Sequence, residues 1–528
     1  MTRFSYYVIL LSFLVYFFCH GVTIRDRILV DTIHRIEGRA LSPPASRQIF
    51  EGAMNGMFKT LDKYSYYTPA AGKKEYNDHL NNHYDGIGLV SMPSDDNKSL
   101  EVVYTIVESP AFRVGLRSGD RIFAVNGAEL TEEQVSEFSS LVRGFGGNNI
   151  ELSVRQFGKT EPVKIAVKAA ELNMDSVEGD GIDADGNRDF ILETDSDIGY
   201  IRITSFSRRT ADEFEIALRK LYEKHASGLI LDLRGNPGGY VDISVKVAEM
   251  LLESSGSPTV VVSTKVRSGI TQKRYFAVAG GQICSIPIVV LIDGNTASAS
   301  EIVAAALQDY GRVVIVGNRS FGKGVVQEIH DLPANSGTYQ LTGVSYWRPS
   351  NKNIHRAENA AESDEWGVVP DFECKLELRK WRSRAIDFIR TRRANVICED
   401  REAYLKSSIE MIEKDINKLR NEIYESAKSD TPKEDKKTAE TPEEIDKNEA
   451  ATVDENIVEE KPEKKVDGNA DEVEEKDIDE EEEGENFEKP FKLQGNAPYY
   501  DPQLDKAIEI LKDMIKGKTV KEILEQKE

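Results

Sequence analysis

The sequence predicts a multidomain protein of the α/β (α+β) class, with a core of mixed sheet and helices, a β-rich insertion and helical segments at both ends. Three observations support this class. Apolar strands alternate with amphipathic helices after Gly181, a run of short strands and glycine turns precedes them, and a strongly acidic tract separates them from a final helical pattern. At about 150 residues per domain, 528 residues also predict about three folded units.

The alternation after Gly181 predicts an α/β domain. Short continuous apolar runs are typical of buried strands, and apolar residues recurring every three to four positions are typical of helices. The predicted strands are 199–203, 228–233, 286–292 and 313–316, and the predicted helices between them are 211–224 and 241–252. Ligands of such folds bind at the carboxyl ends of the strands, so we expect a functional site in the loops there.

The formal net charge of −23 comes mostly from one tract. Residues 431–490 contain 25 Asp or Glu and 9 Lys or Arg, which gives −16, and the remaining residues carry −7. The tract is poor in apolar residues, so it predicts a solvated, disordered linker. This distribution excludes a nucleic-acid binder that acts through overall charge, and we expect no nucleic-acid partner.

The first 22 residues predict an export signal. Arg3 precedes an apolar run from Phe4 to Cys19, as the positive and apolar regions of a signal peptide do. Phe17 and Phe18 stand where a cleavage site has small residues, so an uncleaved membrane anchor is an alternative. Lipid modification of Cys19 and a buried core helix are weaker alternatives. Both signal and anchor predict an extracytoplasmic protein, in the periplasm or an equivalent compartment, either secreted or in contact with the membrane.

The cysteines and histidines indicate neither a metal site nor a cofactor. Cys19, Cys284, Cys374 and Cys398 lack the close spacing of zinc ligands, and the seven histidines are scattered. Removal of Cys19 with a signal peptide would leave three cysteines, and this odd number argues against a full disulfide framework. We therefore expect free, mostly buried thiols, no metal and no cofactor.

Residues 23–80 predict a helical N-terminal segment. Apolar side chains recur at helical spacing from Ile28 to Ile36 and again from Ile49 to Phe58. Pro43 and Pro44 separate the two helices.

Residues 81–170 predict a β-rich peptide-binding domain. The glycine-flanked apolar strand Gly86-Ile87-Gly88-Leu89-Val90 is followed by the alternating run 100–107 and by the glycine turns of residues 115–127. Such a strand can pair with an added peptide strand, and its N–H groups can hold a terminal carboxylate. A structural β-rich module without a ligand is the alternative.

These pieces, in this order, resemble a PDZ domain. The resemblance implies that residues 86–90 are the carboxylate-binding loop and the strand beside the peptide. Arg121 is either an ion-pair partner within this domain or a link to the neighbouring one.

Loop 232–239 is the first of three informative loops at strand ends. It reads Asp-Leu-Arg-Gly-Asn-Pro-Gly-Gly, and its last two residues, Gly238 and Gly239, can turn their backbone N–H groups towards a ligand. An oxyanion hole requires such donors, although a plain tight turn has a similar sequence.

Loop 293–298 leads from a strand into an alanine-rich helix. Ser298 or Ser300 would lie at the helix N-terminus, where backbone donors and the helix dipole favour developing negative charge. Both serines are also ordinary candidates for helix caps.

Loop 320–327 contains Lys323 between two glycines, just after an apolar strand. Partial burial would lower the pKa of this lysine towards the range in which a neutral amine accepts a proton from serine. Gln327, four residues on, is placed to orient the amine. A plain surface charge is the alternative, and a phosphate-binding loop is disfavoured because the P-loop spacing is absent.

Together the three loops resemble the carboxy-terminal processing proteases, serine peptidases with a Ser/Lys dyad and an inserted PDZ domain. In that family the lysine follows the serine by 25 residues, which is the separation of Ser298 and Lys323, so the resemblance selects Ser298 over Ser300. The family's aspartate near the end of the serine helix and its glutamine after the lysine correspond to Asp309 and Gln327. Further matching segments are 61–69, 346–350, 367–371 and 501–507.

The resemblance implies peptide-bond hydrolysis through an acyl-enzyme. Ser298 would attack, Lys323 would accept and return the proton, the glutamine would hold the lysine, and the aspartate would have a supporting role. The N–H groups of Gly238 or Gly239 and of Ala299 would stabilise the oxyanion. The PDZ domain would capture the apolar, unstructured C-terminus of a protein substrate.

Two other classes of protein are weaker alternatives. A trypsin-like PDZ protease needs histidine and aspartate partners and a different nucleophile loop, and neither is visible in the sequence. A non-catalytic peptide-binding scaffold would have lost Ser298 or Lys323, and both are present.

The helical patterns beyond the core allow contact with a second copy of the chain or an adaptor, because each has an apolar side. The predicted domains are the signal or anchor 1–22, the helical segment 23–80, the PDZ domain 81–170, the Ser/Lys protease core 171–395, the helical extension 396–428, the disordered acidic linker 429–495 and the C-terminal helix 496–528.

Overall fold

The structure, a computed structural model, describes most of the chain up to residue 396 and a C-terminal portion. The described residues are 23–94, 97–145, 147–183, 186–254, 258–371, 373–396, 413, 417–418, 421 and 501–525. The predicted export signal, helical extension and acidic linker therefore lie outside these residues, apart from the few isolated positions. The chain divides into one unit of Met1–Glu377, Arg390–Tyr404 and Asp501–Glu528, and a second of Leu378–Ile389 and Leu405–Tyr500.

The N-terminal segment contains three helices and one strand. These elements are α1 (Ile24–Arg39), α2 (Ser46–Phe58), β1 (Tyr66–Thr68) and α3 (Lys73–Leu80). Helix α1 begins with a capping box, in which the Thr23 hydroxyl accepts from the Asp26 N–H and the Asp26 carboxylate accepts from the Thr23 N–H. The strand departs from the helical expectation because it pairs with residues 338–340.

The next elements form an antiparallel β domain at the place predicted for the PDZ domain. They are β2 (His83–Gly86), β3 (Leu89–Pro93), β4 (Leu100–Thr105), α4 (Pro110–Arg113), β5 (Arg121–Val125), β6 (Ala128–Glu129), α5 (Glu132–Ser136), α6 (Phe138–Gly144), β7 (Asn149–Arg155), β8 (Pro162–Lys168) and β9 (Ala170–Asn173). The sheet order is β3-β4-β5-β7-β8, so β3 lies at an edge. Strands β2 and β9 pair with each other and join the entry and exit of the domain.

The remaining strands and helices before residue 396 form the α/β core, apart from the last helix, which belongs partly to each unit. They are β10 (Val177–Glu178), β11 (Gly181–Ile182), β12 (Arg188–Asp189), β13 (Ile191–Leu192), β14 (Asp195–Ile203), α7 (Thr210–Glu223), β15 (Gly228–Asp232), α8 (Val241–Leu251), β16 (Thr259–Val266), β17 (Thr271–Ala277), β18 (Ile288–Ile292), α9 (Ala299–Asp309), β19 (Val314–Gly317), β20 (Val325–Asp331), β21 (Thr338–Trp347) and α10 (Lys380–Asn395). All four strands predicted for the core, and both helices, are present.

Two large sheets build this core, β11 and β12 form a separate two-stranded pair, and the fold class predicted from the sequence is confirmed. The first has the order β10-β14-β15-β18-β19, with β14, β15, β18 and β19 parallel and β10 antiparallel. Every residue of β15 and β18 is buried, which explains their continuous apolar sequences. The second sheet is antiparallel, with the order β1-β21-β16-β17 and with β20 paired to β21.

The chain ends in two further helices, α11 (Pro502–Ile515) and α12 (Val520–Glu525). Helix α11 packs on the parallel sheet near β15, where a Cβ in place of Gly228 would lie 2.9 Å from the Leu511 side chain. The apolar face, for which the sequence allowed a second copy or an adaptor, thus contacts the chain's own core. The buried residues of α11 are Gln503, Leu504, Ala507, Ile510, Leu511 and Met514. In the described part of the chain, no helix combines the length and the apolar character needed to cross a membrane.

Candidate active site

The three predicted loops follow β15, β18 and β19, which are neighbours in the parallel sheet, and they contact one another at its carboxyl edge. The Ala297 N–H donates to the Asn236 carbonyl at 3.0 Å, which joins the first loop to the second. The Phe321 N–H donates to the Thr296 carbonyl at 2.9 Å, which joins the second to the third. Parallel strands therefore bring together segments that are far apart in the sequence.

Ser298 lies at the N-terminus of α9 in a strained backbone conformation. Its φ is 57° and its ψ is −114°, outside the regions that L-residues with a Cβ ordinarily adopt. The residue is 8% exposed. Ser300 differs, because its hydroxyl is fully buried and donates to the Asn236 carbonyl at 3.1 Å. Ser300 thus serves the packing of the two loops, whereas the strain is at Ser298.

Glu301, which the sequence reasoning missed, joins the serine turn to the lysine loop. One carboxylate oxygen accepts the N–H groups of Ser298 and Lys323, both at 2.8 Å. The other accepts the Ser320 hydroxyl at 2.6 Å and the Gly322 N–H at 2.7 Å. The backbones of Ser298 and Lys323 are therefore held on a single atom.

Burial raises the pKa of Glu301 to about 7, although these four hydrogen bonds act to lower it. The available sequence signal was a single charged residue among the small and apolar residues 299–307, and the structure shows that this glutamate has no exposed surface. The carboxylate is thus held in place by the loops it connects.

Lys323 is largely removed from water. Burial lowers the pKa of its ammonium below the ordinary value, and the negative charges of Glu301 and Asp62 act in the opposite direction. Its Nζ lies 5.1 Å from the centroid of the Tyr64 ring. The N-terminal segment, through Asp62 and Tyr64, therefore forms part of the surroundings of this amine.

Gln327 lies at the start of β20 and belongs to a polar chain that ends at Asp62. Its side-chain amide donates to the Thr342 hydroxyl at 3.2 Å, and that hydroxyl donates to the Asp62 carboxylate at 3.0 Å. Gln327 therefore binds the neighbouring strand β21. The hydrogen-bonded side chains from Gln327 to Asp62 influence the pKa of Lys323 through the negative charge of Asp62.

Two aromatic side chains near the site were given no role from the sequence, although Tyr346 lies in the matching segment 346–350. Tyr346 on β21 is 2% exposed; burial raises its pKa, and a side-chain hydrogen bond with Ser298 opposes the rise. The backbone of His355 packs so closely on Gly324 that a Cβ at this position would overlap it. Burial lowers the pKa of His355, so its ring is held towards the neutral form.

The candidate oxyanion donors differ in their hydrogen bonds. The Gly238 N–H donates to the side-chain oxygen of Asn236 at 2.8 Å and is therefore engaged. The N–H groups of Gly239 and Ala299 have no hydrogen-bond partner among the described residues. A Cβ at Gly238 would lie 2.8 Å from the Ser298 Cβ and 2.9 Å from the Ala299 nitrogen. Gly238 thus allows the loop to approach the serine, and Gly239 and Ala299 offer free donors.

Asp309 lies at the far end of α9, where it binds the segment after β21. Its carboxylate pairs with the Arg348 guanidinium at 2.6 Å and accepts the Ser350 N–H at 2.8 Å. These contacts stabilise the connection between the serine helix and the strand that carries Tyr346.

In the β domain, Gly86, Ile87, Gly88, Leu89 and Val90 connect β2 to the edge strand β3. Ile87 is buried and its carbonyl accepts the Ala111 N–H, while the Gly88 carbonyl accepts the Ile106 N–H at 2.9 Å. Gly88 has a φ of 82°, and the hydroxyl of Ser109 donates to its carbonyl at 3.0 Å. The loop is thus anchored by its carbonyl groups, and the free edge of β3 follows it.

Arg121 and a group of potential metal ligands lie elsewhere in this domain. Arg121 begins β5 and pairs with Glu101 of β4 at 3.7 Å, with its side chain half exposed. On β2 and β9, His83, Asp85 and Glu171 have ligand atoms within 4.8 Å of one another. The Lys74 ammonium binds Asp85 at 2.7 Å, so a cation already balances this carboxylate.

Comparison with known proteins identifies two regions. Residues 197–374 match the family model of peptidase family S41, and residues 102–156 match that of the PDZ domain. The carboxy-terminal-processing protease of Bartonella bacilliformis is 32% identical over 346 residues, which are 65% of this chain and 73% of that protein. The carboxy-terminal processing protease CtpB of Bacillus subtilis is 32% identical over 311 residues, 58% of this chain and 61% of that protein.

Solved structures also match this chain. The photosystem II D1 C-terminal processing protease is 23% identical, and the match covers 67% of this chain and 94% of that chain with a TM-score of 0.38.

Proposed function

Because the chain belongs to the carboxy-terminal processing proteases of peptidase family S41 and contains a PDZ domain, we propose that it is a serine endopeptidase that cuts proteins near their C-termini. In this proposal Ser298 is the nucleophile and Lys323 is the general base. Gln327 and Asp309 have supporting positions, the first through the polar chain to Asp62 and the second through Arg348.

The observation that carries this proposal is the carboxylate of Glu301. It binds the backbones of Ser298 and Lys323 through the same oxygen, at 2.8 Å each, across a sequence separation of 25 residues. The strained backbone at Ser298 and the burial of Lys323 add to it, since strain and a lowered lysine pKa are both typical of functional sites. An accidental surface lysine has none of these features.

The reaction follows from the chemistry of these groups. Neutral Lys323 accepts the proton of the Ser298 hydroxyl while the oxygen attacks the scissile carbonyl carbon. The protonated amine then donates to the leaving nitrogen as the peptide bond breaks, which leaves an ester on Ser298. A water molecule attacks the ester with Lys323 again accepting its proton, and the serine is restored.

The N–H groups of Gly239 and Ala299 stabilise the negative oxygen of the tetrahedral intermediates. Both are unpaired in the described part of the structure, and Ala299 is the first residue of a helix whose dipole also favours negative charge. Removing one such donor reduces kcat by about 100-fold to 1000-fold in serine peptidases. Gly238 contributes by its lack of a side chain beside Ser298.

The PDZ domain, residues 81–170 in the proposed division of the chain, selects the substrate. The edge of β3 binds an extended C-terminal tail as an added strand, and the loop of residues 86–88 receives its carboxylate. The substrates are proteins with apolar, unstructured C-termini. The apolar N-terminal run is the basis for an extracytoplasmic location in this proposal.

Two substitutions test the dyad. Ser298→Ala and Lys323→Ala each reduce kcat by at least about 10⁴-fold on an unstructured protein substrate, because the two groups act as a unit. Circular dichroism checks that both variants remain folded. Lys352→Ala, an exposed lysine that pairs with Glu365, is the matched control and retains wild-type activity.

Near-normal activity in either folded dyad variant rejects the assignment of the base or the nucleophile. Assays of the same peptide with a free and with an amidated C-terminus test the second part of the proposal, which is recognition of the substrate's C-terminal carboxylate by the PDZ domain. A free carboxylate lowers KM if the PDZ domain binds it, and an equal KM for both peptides contradicts tail recognition.

A further inference from the structure

The N-terminus of helix α11 is buried in the core, although its first residues are polar. Asp501 and Gln503 are 2% and 1% exposed. Asp501 caps the helix by accepting the Leu504 N–H at 3.1 Å, but a cap alone does not require burial. A carboxylate and an amide at this depth require specific partners, because an unpaired buried charge is strongly unfavourable.

The partner of both residues is the guanidinium of Arg234, in the loop after β15. Its Nη1 and Nη2 donate to the two oxygens of Asp501 at 3.0 Å and 2.9 Å, and Nη1 also donates to the Gln503 oxygen at 3.0 Å. On its other side the guanidinium donates to Asp232 at 2.7 Å to 3.2 Å. Arg234 is thus held between two carboxylates in a planar, bidentate geometry.

Asp501 also contacts a second guanidinium. Arg390 lies beside it, with 3.5 Å between Nε and the carboxylate, and both side chains are buried. Burial acts to raise the pKa of Asp501, but Arg234 and Arg390 outweigh it and hold the pKa well below the ordinary value. Loss of the Asp501 charge would therefore remove a carboxylate that two buried guanidinium groups share, which is strongly unfavourable.

The loop that begins at Arg234 leads directly to the candidate oxyanion donors. The Arg234 N–H donates to Asp232 at 3.0 Å and the Gly235 N–H donates to Asp293 at 2.9 Å. Asn236, fully buried, accepts from the Gly238 N–H and binds the serine turn through its carbonyl. Gly239 follows. The loop is short, and the N–H groups of Arg234, Gly235 and Gly238 are hydrogen-bonded, so a displacement of Arg234 moves the part of the loop that lies beside Ser298.

We propose that Asp501 and Gln503 are positioning residues for peptide hydrolysis, which hold Arg234 and thereby place the loop of residues 234–239, with its candidate oxyanion donor, beside Ser298. This inference rests on the function proposed above. Some hundred residues separate these two from the end of α10, including the acidic tract, so the residues that complete the active site lie far from it in the sequence.

The test compares Asp501→Asn with two variants of the same helix in the full chain. Leu511→Ala removes a fully buried side chain that packs on β15 without contacting Arg234, so it reports loss of helix packing alone. Glu509→Gln changes an exposed carboxylate to an amide and is the neutral control. The measurements are kcat and KM, the affinity of a peptide aldehyde that forms a tetrahedral adduct with serine, and the thermal unfolding midpoint.

Asp501→Asn lowers kcat by about 100-fold, the effect of one misplaced oxyanion donor, with KM changed less than about threefold. The affinity of the aldehyde falls in parallel, because its adduct needs the same donor. Leu511→Ala lowers the unfolding midpoint but keeps kcat and aldehyde affinity below that midpoint, and Glu509→Gln changes nothing.

A folded Asp501→Asn variant with unchanged kcat overturns the inference, as does a loss of activity that merely follows the unfolding midpoint in both Asp501→Asn and Leu511→Ala. If Asp501→Asn does not fold, Gln503→Met decides, with an expected fall in kcat of about 10-fold. This variant keeps the side-chain volume but removes one acceptor of Arg234, together with the amide donor to Asn318 and to the Leu376 carbonyl. Wild type and Ser298→Ala are assayed in parallel. Activity that does not depend on Ser298 rejects the proposed function, whereas Ser298-dependent activity that is insensitive to Asp501 and Gln503 rejects this inference only.

Discussion

Helices α1 and α11, near the two ends of the chain, are similar in sequence pattern and opposite in burial. Both begin with a side-chain cap, Thr23 in one and Asp501 in the other. Helix α1 has 16 residues and none is buried, and its Ile28 is 60% exposed. Helix α11 has 14 residues and six are buried, among them Leu511 with no exposed surface.

The difference shows that an amphipathic pattern predicts a helix without predicting its partner. Helix α11 docks because a carboxylate at its start matches Arg234 in the core and because Gly228 leaves room for its apolar side chains. Helix α1 has an ordinary capping box on the surface, which stabilises the helix itself and nothing beyond it. Paired buried charges, rather than apolar spacing, distinguish the two ends.

Removal of each helix gives the largest expected contrast. A chain that ends at Tyr500 loses Asp501 and Gln503, two of the three side-chain partners of Arg234, and exposes the apolar surface under α11. We therefore expect kcat to fall by at least about 100-fold and the unfolding midpoint to drop. A chain that starts at Pro43 lacks α1 and keeps its kcat, since α1 has no buried residue. If the two deletions lowered kcat equally and lowered the unfolding midpoint equally, the proposed difference between α1 and α11 would be wrong.

A pair of side-chain truncations gives an intermediate effect. Leu511→Ala removes a buried side chain and lowers the free energy of unfolding by about 2 to 5 kcal/mol. Ile28→Ala changes an exposed side chain on α1, so the free energy changes by less than about 0.5 kcal/mol. Urea titration of both variants measures these values, and a destabilisation by Ile28→Ala as large as that by Leu511→Ala would show that α1 has a partner of its own.

The acid stability of the two cap regions gives the smallest contrast. Arg234 and Arg390 outweigh the effect of burial and hold the pKa of Asp501 low, so its charge stabilises the fold above about pH 4 and this contribution is lost as the pH falls through the depressed value. Asp501→Asn lacks this titration, and its unfolding midpoint depends less steeply on acid pH than that of wild type. The hydrogen bonds with Thr23 also lower the pKa of Asp26, but this carboxylate is fully exposed. Asp26→Asn should therefore follow the wild-type curve, and a flattened curve for this variant would contradict the contrast.

The sequence predicted the parts of the fold that depend on local pattern. The strands of the parallel sheet and helices α7 and α8 lie within a few residues of their expected bounds, because buried strands and amphipathic helices have distinct periods. Strand β1 was missed since its partner lies in β21, some 270 residues later, and no local pattern reports such a pairing.

The candidate site was predictable to the extent that its motifs are local. The small-residue turn before α9 and the Gly-Lys-Gly loop were found by their composition and their spacing. Glu301 was overlooked because a helical glutamate is ordinarily exposed, and only the fold shows that it has no exposed surface. The contact of Arg234 with Asp501 joins residues 267 positions apart, so only the folded chain reveals it.

The central claim is that Lys323 activates Ser298, and the pH dependence of covalent labelling tests it most directly. A serine-reactive fluorophosphonate is added to wild type and to Lys323→Ala, the rate of labelling is followed across pH, and the adduct is located by peptide mapping. We expect an adduct on Ser298 and no comparable labelling of the variant. In wild type the rate should rise as Lys323 loses its proton, with a midpoint below the ordinary lysine pKa of 10.5. An adduct on another serine, or equal labelling rates in both proteins, would contradict the claim.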